Sequence, residues 1–162
     1  MSMNYAAVSG KVGDLGSIGL SFRSLNIGDI NVTTMDQPDG TGQIISPGYF
    51  VLGLTYSKQL TDKVSIGANF NLINETIDKV ASSGFSFDFG VSYKNLFDVK
   101  GLALGVVVKN LGGTMKFSGN GLFVQANDQS SQRGPTYLAI DGASAELPSE
   151  IAIGLSYLQS FD

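Results

Sequence analysis

The sequence predicts an all-β protein: an antiparallel up-and-down transmembrane β-barrel, of which this chain carries about seven strands. Three observations predict this fold. Apolar and polar residues alternate with a period of two over most of the chain, a short phrase occurs three times, and the connections between strands differ in length. The phrase reads GLTY at 53–56, GVSY at 90–93 and GLSY at 154–157, and each copy places its tyrosine on the apolar side of an alternating segment.

The three tyrosines of this phrase are Tyr56, Tyr93 and Tyr157, each close to the end of its segment. In a soluble β-protein the apolar side faces a core, where a fixed height for an aromatic ring has no special meaning. In a transmembrane barrel the same side faces lipid, and a tyrosine there places its ring in hydrocarbon and its hydroxyl among headgroups. The repeat therefore predicts a membrane-interface girdle made of these tyrosines.

Alternation predicts each strand in turn. The opening segment, about 3–12, is the least regular, and the later strands are predicted at 17–23, 50–57, 64–72, 85–94, 102–109 and 151–157. Most of these approach the length of about 9–11 residues that a tilted strand needs to cross a bilayer. No run approaches the roughly 18 consecutive apolar residues of a membrane helix. Contact with lipid would therefore be made through strands.

The connections are short at one end of the strands and mostly long at the other. The short ones are 13–15, 61–63 and 95–101, and the long ones are 26–47 and 112–148, with a tight exception near 79–84. This asymmetry is typical of outer-membrane barrels, whose periplasmic turns are short. Tyr56 and Tyr93 precede short turns, which predicts a periplasmic girdle. Inside the second long loop, the run at 135–140 is too brief to cross a membrane and predicts a local hairpin.

Composition excludes most catalytic chemistry. The chain has no His and no Cys, so Ser-His-Asp catalysis, thiolate chemistry, disulfides and the common zinc sites are absent. Only 15% of residues are charged, against about 25% in a typical soluble domain. A net charge of −4 argues against nucleic-acid binding. We expect no enzyme activity, no catalytic residue, no metal site and no cofactor.

Five charged residues share the polar side of the predicted strands. They are Arg23, Glu75, Asp88, Lys94 and Lys109. In a barrel this side faces the lumen, and a symmetric hairpin around Asp98 and Val99 would place Asp88 directly opposite Lys109. Such a pair would either fix the register of the strands or form a polar constriction that contacts cargo or a plug.

A glycine also occupies the polar side in each of six strands. These glycines are Gly19, Gly53, Gly67, Gly90, Gly105 and Gly154. Glycine within a strand marks strong curvature or close approach by another backbone. If these glycines allow close approach, they leave space in the lumen for a ligand, a plug or a partner segment.

Several segments, taken together in order and spacing, resemble the PorV/PorQ family of outer-membrane proteins, which is similar in fold to the FadL fatty-acid transporter. The segments are 24–30 (SLNIGDI), 37–42 (QPDGTG), 46–47 (SP), 107–112 (VVKNLG), 122–125 (LFVQ), 147–148 (LP) and 153–157 (IGLSY). The resemblance implies a FadL-like barrel of about fourteen strands and a location in the cell outer membrane. It brings no catalytic residues.

The resemblance also implies a function. PorV-like members act in type IX secretion, where the barrel binds the C-terminal signal domain of secreted protein cargo and escorts it to other secretion components. FadL-like members instead pass hydrophobic small molecules through the wall, and a soluble β-sandwich used for binding or adhesion is a third alternative.

Residues 1–162 are expected to form one partial barrel domain, because about seven strands is half of such a barrel. The first residues lack the basic and apolar regions of a signal peptide. We therefore expect that a signal peptide was removed or that this chain is a fragment of a longer protein, although a small self-closed barrel of eight strands is the alternative if a loop hides a strand.

Overall fold

The structure, a computed structural model, describes residues 1–126 and 136–159. In this part of the chain the protein is all-β, without α-helix. The strands are β1 (Ser2–Val12), β2 (Gly16–Asn26), β3 (Ile30–Asn31), β4 (Ile44–Ile45), β5 (Gly48–Gln59), β6 (Val64–Ile77), β7 (Val80–Lys94), β8 (Leu102–Gly112), β9 (Thr114–Lys116), β10 (Phe123–Ala126), β11 (Thr136–Ala139), β12 (Ser144–Glu146) and β13 (Glu150–Tyr157). Short 3-10 turns occur at Gly13–Leu15, Leu96–Asp98 and Asn120–Leu122.

Seven long strands form one antiparallel sheet in the order β1-β2-β5-β6-β7-β8-β13. Every neighbouring pair is antiparallel, so the chain runs up and down across the sheet as the alternation predicted. The sheet is open: within the described residues β1 and β13 have a neighbour on one side only. The irregular opening segment is a full strand, and seven strands are confirmed.

The predicted asymmetry of the connections is also present. The short connections after β1, β5 and β7 lie at one end of the sheet, and the long loops lie at the other end. The predicted turn near 79–84 was wrong in position, because β6 and β7 pair up to Ile77 and Val80 and leave only Asp78 and Lys79 between them. Asp78 adopts a positive φ of 52°, which a tight hairpin requires.

The second long loop is more ordered than the sequence indicated. The predicted local hairpin is confirmed as β10 paired with β11, although Pro135, part of the run that predicted it, lies outside the described residues. β9 pairs with β12 and extends the hairpin of β8 and β13 beyond the sheet. The first loop contains the small pair β3 and β4. These loop strands are two to four residues long, too short to show alternation.

A β-bulge interrupts the pairing of β7 with β8. Phe89 lies opposite Val108 but Phe87 lies opposite Leu111, so Asp88 faces two residues of β8. One of the two, Asn110, has a φ of 56°, in the left-handed region that Asn tolerates better than most residues. The bulge increases the local twist of the sheet next to Asp88.

Gly112, at the end of β8, is required by the close approach of another backbone. A Cβ built at this position would lie 2.4 Å from the carbonyl oxygen of Phe85 and 2.7 Å from Cδ1 of Leu147. Gly154 in β13 is the opposite case, since a Cβ built there meets nothing within 4 Å.

We expect Gly112→Ala to lower the free energy of unfolding by about 1–3 kcal/mol, because the added methyl group forces the backbones of β7 and β8 apart. Gly154→Ala is the matched control and should change it much less. Urea titration of both variants in detergent micelles, followed by far-ultraviolet circular dichroism, measures the difference. Equal losses would contradict the contact at Gly112.

Candidate functional site: an apolar face and a polar face

The two faces of the seven-stranded sheet differ sharply in chemistry. The apolar face is formed by alternate residues of β2, β5, β6, β7, β8 and β13; its members include Ile18, Leu20, Phe22, Phe50, Leu52, Leu54, Tyr56, Phe70, Leu72, Phe85, Phe87, Phe89, Val91, Ile151, Ile153, Leu155 and Tyr157. The polar face is the other side, where Ser, Asn, Gly, Thr and the charged residues predominate and a few apolar residues, Val51, Ile73 and Val107, lie among them. The apolar face is the exposed one. Leu52 is 40% exposed and Phe87 39%, with no second layer of described residues over them.

Burial along β7 shows the inversion most clearly. Phe85 and Phe89 of the apolar face are 49% and 50% exposed, whereas Ser82 and Ser86 of the polar face are 1% and 0% exposed. A soluble sheet buries its apolar residues and exposes its serines, because apolar burial drives folding in water. This sheet does the reverse over its central strands, and an exposed apolar area of this extent marks an interaction surface.

Phenylalanine rings cover the centre of the apolar face. Phe87 lies 5.0 Å from Phe70, 6.0 Å from Phe85 and 6.3 Å from Phe89, measured between ring centroids. Such pairs contribute about 0.5–1.5 kcal/mol each beyond their area. These rings pack on one another within the face, with no opposing layer of described residues over them.

The three tyrosines of the repeated phrase lie on the apolar face, near the end of the sheet that carries the short connections. Rows of register partners run across the sheet at right angles to the strands. Tyr56 of β5 pairs with Ala68 of β6, and Ala68 pairs with Phe89 of β7. Tyr93 lies four residues beyond Phe89, toward the short connections. Tyr93 of β7 in turn pairs with Leu104 of β8, and Leu104 pairs with Leu155 of β13. Tyr157 lies two residues beyond Leu155 in the same direction. The tyrosines are therefore displaced steadily in one direction.

This displacement defines a plane across the strands. It totals six residues over the four steps from β5 to β13. With a rise of about 3.3 Å per residue and a spacing of about 4.8 Å between strands, the strands are inclined at about 45° to the normal of that plane. Strands of transmembrane barrels tilt by about 35–45°.

A polar pair interrupts the apolar face toward the long loops. Nδ2 of Asn74 donates a hydrogen bond of 2.9 Å to Oγ of Ser83, its register partner on β7. Ser83 lies ten residues from Tyr93 along β7. At a tilt of about 45°, ten residues of strand rise by about 23 Å, close to the apolar band of about 25 Å in outer-membrane barrels. Sequence reasoning missed this pair, because its significance depends on the register.

The polar face carries a hydrogen-bonded network at its centre, built by Thr55, Asn69, Asn71, Ser86 and Asp88. The hydroxyl of Thr55 donates to Oδ1 of Asn69 over 2.8 Å. Nδ2 of Asn69 donates to Oδ1 of Asn71 and to Oδ2 of Asp88. Nδ2 of Asn71 donates to Oγ of Ser86 and to the same Oδ2. Every amide hydrogen of the two asparagines therefore has an acceptor.

Asp88 is the centre of this network. Its Oδ2 accepts from Asn69 and Asn71 over 3.0 Å each, and its Oδ1 accepts from the backbone N–H of Asn110 over 2.8 Å. The last bond fastens the carboxylate to the bulge of β8. Sequence reasoning found Asp88 but missed both asparagines, which look like ordinary polar-side residues when the strand is read alone.

The predicted opposition of Asp88 and Lys109 is modified by the bulge: Asp88 lies opposite both Lys109 and Asn110, and its carboxylate accepts a hydrogen bond from the backbone of Asn110. On its other side Lys109 lies opposite Glu150 of β13. The Nζ of Lys109 is 3.6 Å from Oε1 of Glu150. The hairpin is symmetric as far as Phe89 and Val108, and the bulge directly beyond them adds a residue that alternation does not reveal.

The other predicted lumen residues lie on the polar face but are not brought together. The guanidinium of Arg23 lies 5.9 Å from the ring centroid of Tyr5, in cation–π geometry. Glu75 lies opposite Tyr49 near the long loops, and Lys94 lies opposite Ala103 at the short-connection end. The charged residues are therefore spread along the polar face rather than gathered in one cluster.

An ion pair joins two of the short connections. Nζ of Lys63 donates to Oδ1 of Asp98, and this contact holds the pKa of Asp98 below its ordinary value and the pKa of Lys63 above its ordinary value. The contribution of Asp98 to stability is thus present above its unfolded pKa and is lost as the pH falls through its folded pKa. The contribution of Lys63 is lost only as the pH rises through its own raised pKa.

No family model, curated protein or solved structure matches this chain. Over the described residues there is no group of three or more acidic side chains that could hold a metal ion. A helix long and apolar enough to cross a membrane is also absent from residues 1–126 and 136–159.

We expect Asp88→Asn to lower the free energy of unfolding by about 1–3 kcal/mol. The substitution replaces one of the two accepting oxygens by an NH2 group, which then faces an N–H donor that has lost its acceptor. Asp98→Asn is the matched control: it makes the same change at an exposed connection, where ion pairs contribute little. Urea titration in micelles at neutral pH compares the two. A loss for Asp98→Asn equal to that for Asp88→Asn would contradict the role of the network.

Proposed function

We propose that this chain forms part of the wall of an outer-membrane β-barrel, with the apolar face toward the lipid bilayer and the polar face toward the lumen. The observation that carries the proposal is the inverted burial of β7, where phenylalanines are exposed and serines are buried. Lipid removes the penalty for exposing an apolar side chain, so this pattern is stable in a membrane. The tilt inferred from the tyrosines supports the same orientation.

Within this proposal Tyr56, Tyr93 and Tyr157 form the interface girdle on the side of the short connections, and the Asn74–Ser83 pair lies at the opposite interface. One contact supports that role for Tyr56: its hydroxyl donates a hydrogen bond of 2.6 Å to the carbonyl of Leu15 in the connection after β1. The ring thus lies on the apolar face while its hydroxyl reaches a polar group at the edge.

We further propose that the barrel binds secreted protein cargo, as the resemblance to the PorV/PorQ family implies. The polar network of Thr55, Asn69, Asn71, Ser86 and Asp88 supports a lumen that contacts polypeptide, because it breaks any continuous apolar path across this part of the face. Extended polypeptide carries its own donors and acceptors and suits such a surface.

A FadL-like transporter of hydrophobic small molecules is the second candidate. One observation favours it: a trough of about 650 Å³ runs beside Asp88, and Gly67, Gly90, Gly105 and Gly154 are among the residues that line it. Gly67 lies opposite Gly90, and Gly105 lies opposite Gly154, so the trough is wide. The soluble β-sandwich is less well supported, because it needs a second sheet over Leu52 and Phe87.

The chain has no Trp, so single tryptophans report their surroundings without background. We expect Phe87→Trp, on the apolar face, to be strongly quenched in vesicles of phosphatidylcholine brominated deep in the acyl chain. Val107→Trp, on the polar face, is the matched control and should be quenched much less. Fluorescence of both variants in brominated and plain vesicles measures this. A protein that stays monomeric and folded in plain buffer, with neither residue quenched, would contradict the membrane proposal.

The same assay tests the girdle. Tyr93→Trp should be quenched better by bromine placed near the headgroup than by bromine placed deep in the chain, with the order reversed for Phe87→Trp.

Cargo binding can be tested with two neighbouring residues of β13 on opposite faces. Gly154→Trp fills the trough and should weaken binding of a purified C-terminal signal domain at least tenfold, whereas Ile153→Trp faces lipid and should leave binding unchanged. Titration calorimetry with the chain in nanodiscs measures both. Equal binding by the two variants, with Phe87→Trp still quenched, would place cargo elsewhere or favour the small-molecule transporter.

A further inference from the structure

We infer that the polar face carries a binding site for a primary ammonium group, centred above Gly53 of β5, and that its ligand is a lysine side chain of polypeptide in the lumen. The choice of ligand rests on the proposed function. The site itself rests on the orientation of three side chains around Gly53, which that proposal does not use.

Asp88 fixes the orientation of the two asparagine amides in the network. An ionised carboxylate accepts hydrogen bonds but donates none, so both amides must turn their NH2 ends toward it. Nδ2 of Asn69 and Nδ2 of Asn71 each donate to Oδ2 of Asp88, which lies on β7. The carbonyl oxygens of both amides consequently lie on the other side of β6, toward β5.

These two carbonyl oxygens converge with a hydroxyl group above Gly53. A Cβ built on Gly53 would lie 2.5 Å from Oγ of Ser21, 3.2 Å from Oδ1 of Asn71 and 3.4 Å from Oδ1 of Asn69. Three oxygen atoms from β2 and β6, the strands on either side of β5, therefore surround one point. Only glycine at position 53 leaves room there for an atom of a ligand.

Each of the three oxygens can still accept a hydrogen bond from a ligand. Amide and hydroxyl oxygens each have two lone pairs. Within the network Oδ1 of Asn69 accepts from the hydroxyl of Thr55, and Oδ1 of Asn71 accepts from Nδ2 of Asn69. A second lone pair therefore remains on each amide oxygen, and the hydroxyl of Ser21 supplies the third acceptor.

A primary ammonium group matches this arrangement better than other ligands. It carries three N–H donors on one nitrogen, so it can reach three acceptors that surround one point. The guanidinium of an arginine spreads its donors in a planar fork, and a hydroxyl donates only one hydrogen. Calcium needs about six to eight oxygens, usually with carboxylates among them, whereas these three oxygens are uncharged.

The surroundings of the site also favour a positive charge. Asp88 accepts hydrogen bonds from both amides and polarises them, which increases the negative charge on their oxygens. Arg23, the one cation of β2, leans over the ring of Tyr5 on β1. Its charge is thus held on the side of β2 away from Gly53.

The site opens onto a second trough of the polar face, which has a volume of about 630 Å³. The residues that line this trough include Ser21, Asn69, Asn71, Ser9, Ser17 and Ser57. Such a surface suits an extended polypeptide, whose backbone pairs with the serine hydroxyls while one lysine reaches the oxygens above Gly53.

Side-chain amide signals report directly on this site. The chain, labelled with 15N-asparagine in micelles, is titrated with n-butylammonium chloride, which represents a lysine side chain, and the Nδ2 signals of Asn69 and Asn71 are followed by NMR. n-Butyltrimethylammonium chloride is the control probe, because it has the same charge and no N–H donor. The amide of Asn74, on the apolar face, is the internal reference.

We expect saturable shifts of both signals with butylammonium, and binding of the trimethyl probe weaker by at least about tenfold. Gly53→Ala places a methyl group among the three oxygens and should abolish the response. Gly67→Ala is the matched control, because a Cβ built there lies 3.7 Å from its nearest neighbour, the carbonyl oxygen of Tyr56. Ser21→Ala adds no atom and should weaken binding several-fold, whereas Ser17→Ala should not.

Three results would overturn the site. They are an equal response to the two probes, binding of potassium chloride as tight as that of butylammonium, and a response that survives both Gly53→Ala and Ser21→Ala. Far-ultraviolet circular dichroism of each variant shows that the strands are intact.

The choice of ligand has a separate test. Gly53→Ala should weaken binding of the purified C-terminal signal domain by at least about fivefold relative to the original chain, measured by titration calorimetry. An unchanged affinity would overturn a cargo lysine as the ligand. A chain that binds butylammonium but not the signal domain would overturn cargo binding and leave the ammonium site in place, so the two failures are distinguishable.

Discussion

A β-strand presents successive side chains on opposite sides, and the rest of this structure depends on which of the two faces of the sheet is exposed and which is buried. Here the period of two sorts large apolar residues onto one face and small polar residues onto the other, over most of the sheet. Ordinary water-driven folding would bury the first set. The sheet instead buries Ser86 and leaves Phe85 and Phe89 open. The girdle and the lumen that we propose both depend on that single assignment of sides.

Much of the fold could be predicted, because alternation is a local property that sequence displays directly. The strands from β5 to β8 were predicted from it, and the antiparallel meander followed from the brevity of the connections. The position of the turn at Asp78 could not be predicted in the same way, since Ser82 and Ser83 resemble a loop when they stand alone. Their place in β7 is fixed by pairing with Glu75 and Asn74, which lie in the preceding strand.

The candidate site was predictable only in part, for a related reason. Parity placed Arg23, Glu75, Asp88, Lys94 and Lys109 on one face correctly. Partners across strands depend on register, and register depends on bulges. The bulge at Asn110, which has a positive φ, adds one residue opposite Asp88 and gives its carboxylate a backbone partner. Lys109 lies opposite Glu150 through the separate register of β8 with β13. The tilt of the strands and the Asn74–Ser83 pair also depend on register, so they could not be predicted from the sequence.

The saturated asparagines have one further consequence for the space in front of them. The amide hydrogens of Asn69 and Asn71 are all used in hydrogen bonds within the network. The network therefore presents acceptor lone pairs and a negative charge to the space in front of it, but few hydrogen-bond donors. Water against such a surface turns its hydrogens toward the wall and its oxygen outward. Any molecule passing close to Asp88 therefore meets a layer of solvent that is already polarised, and ammonium or guanidinium groups can displace it more readily than carboxylates can.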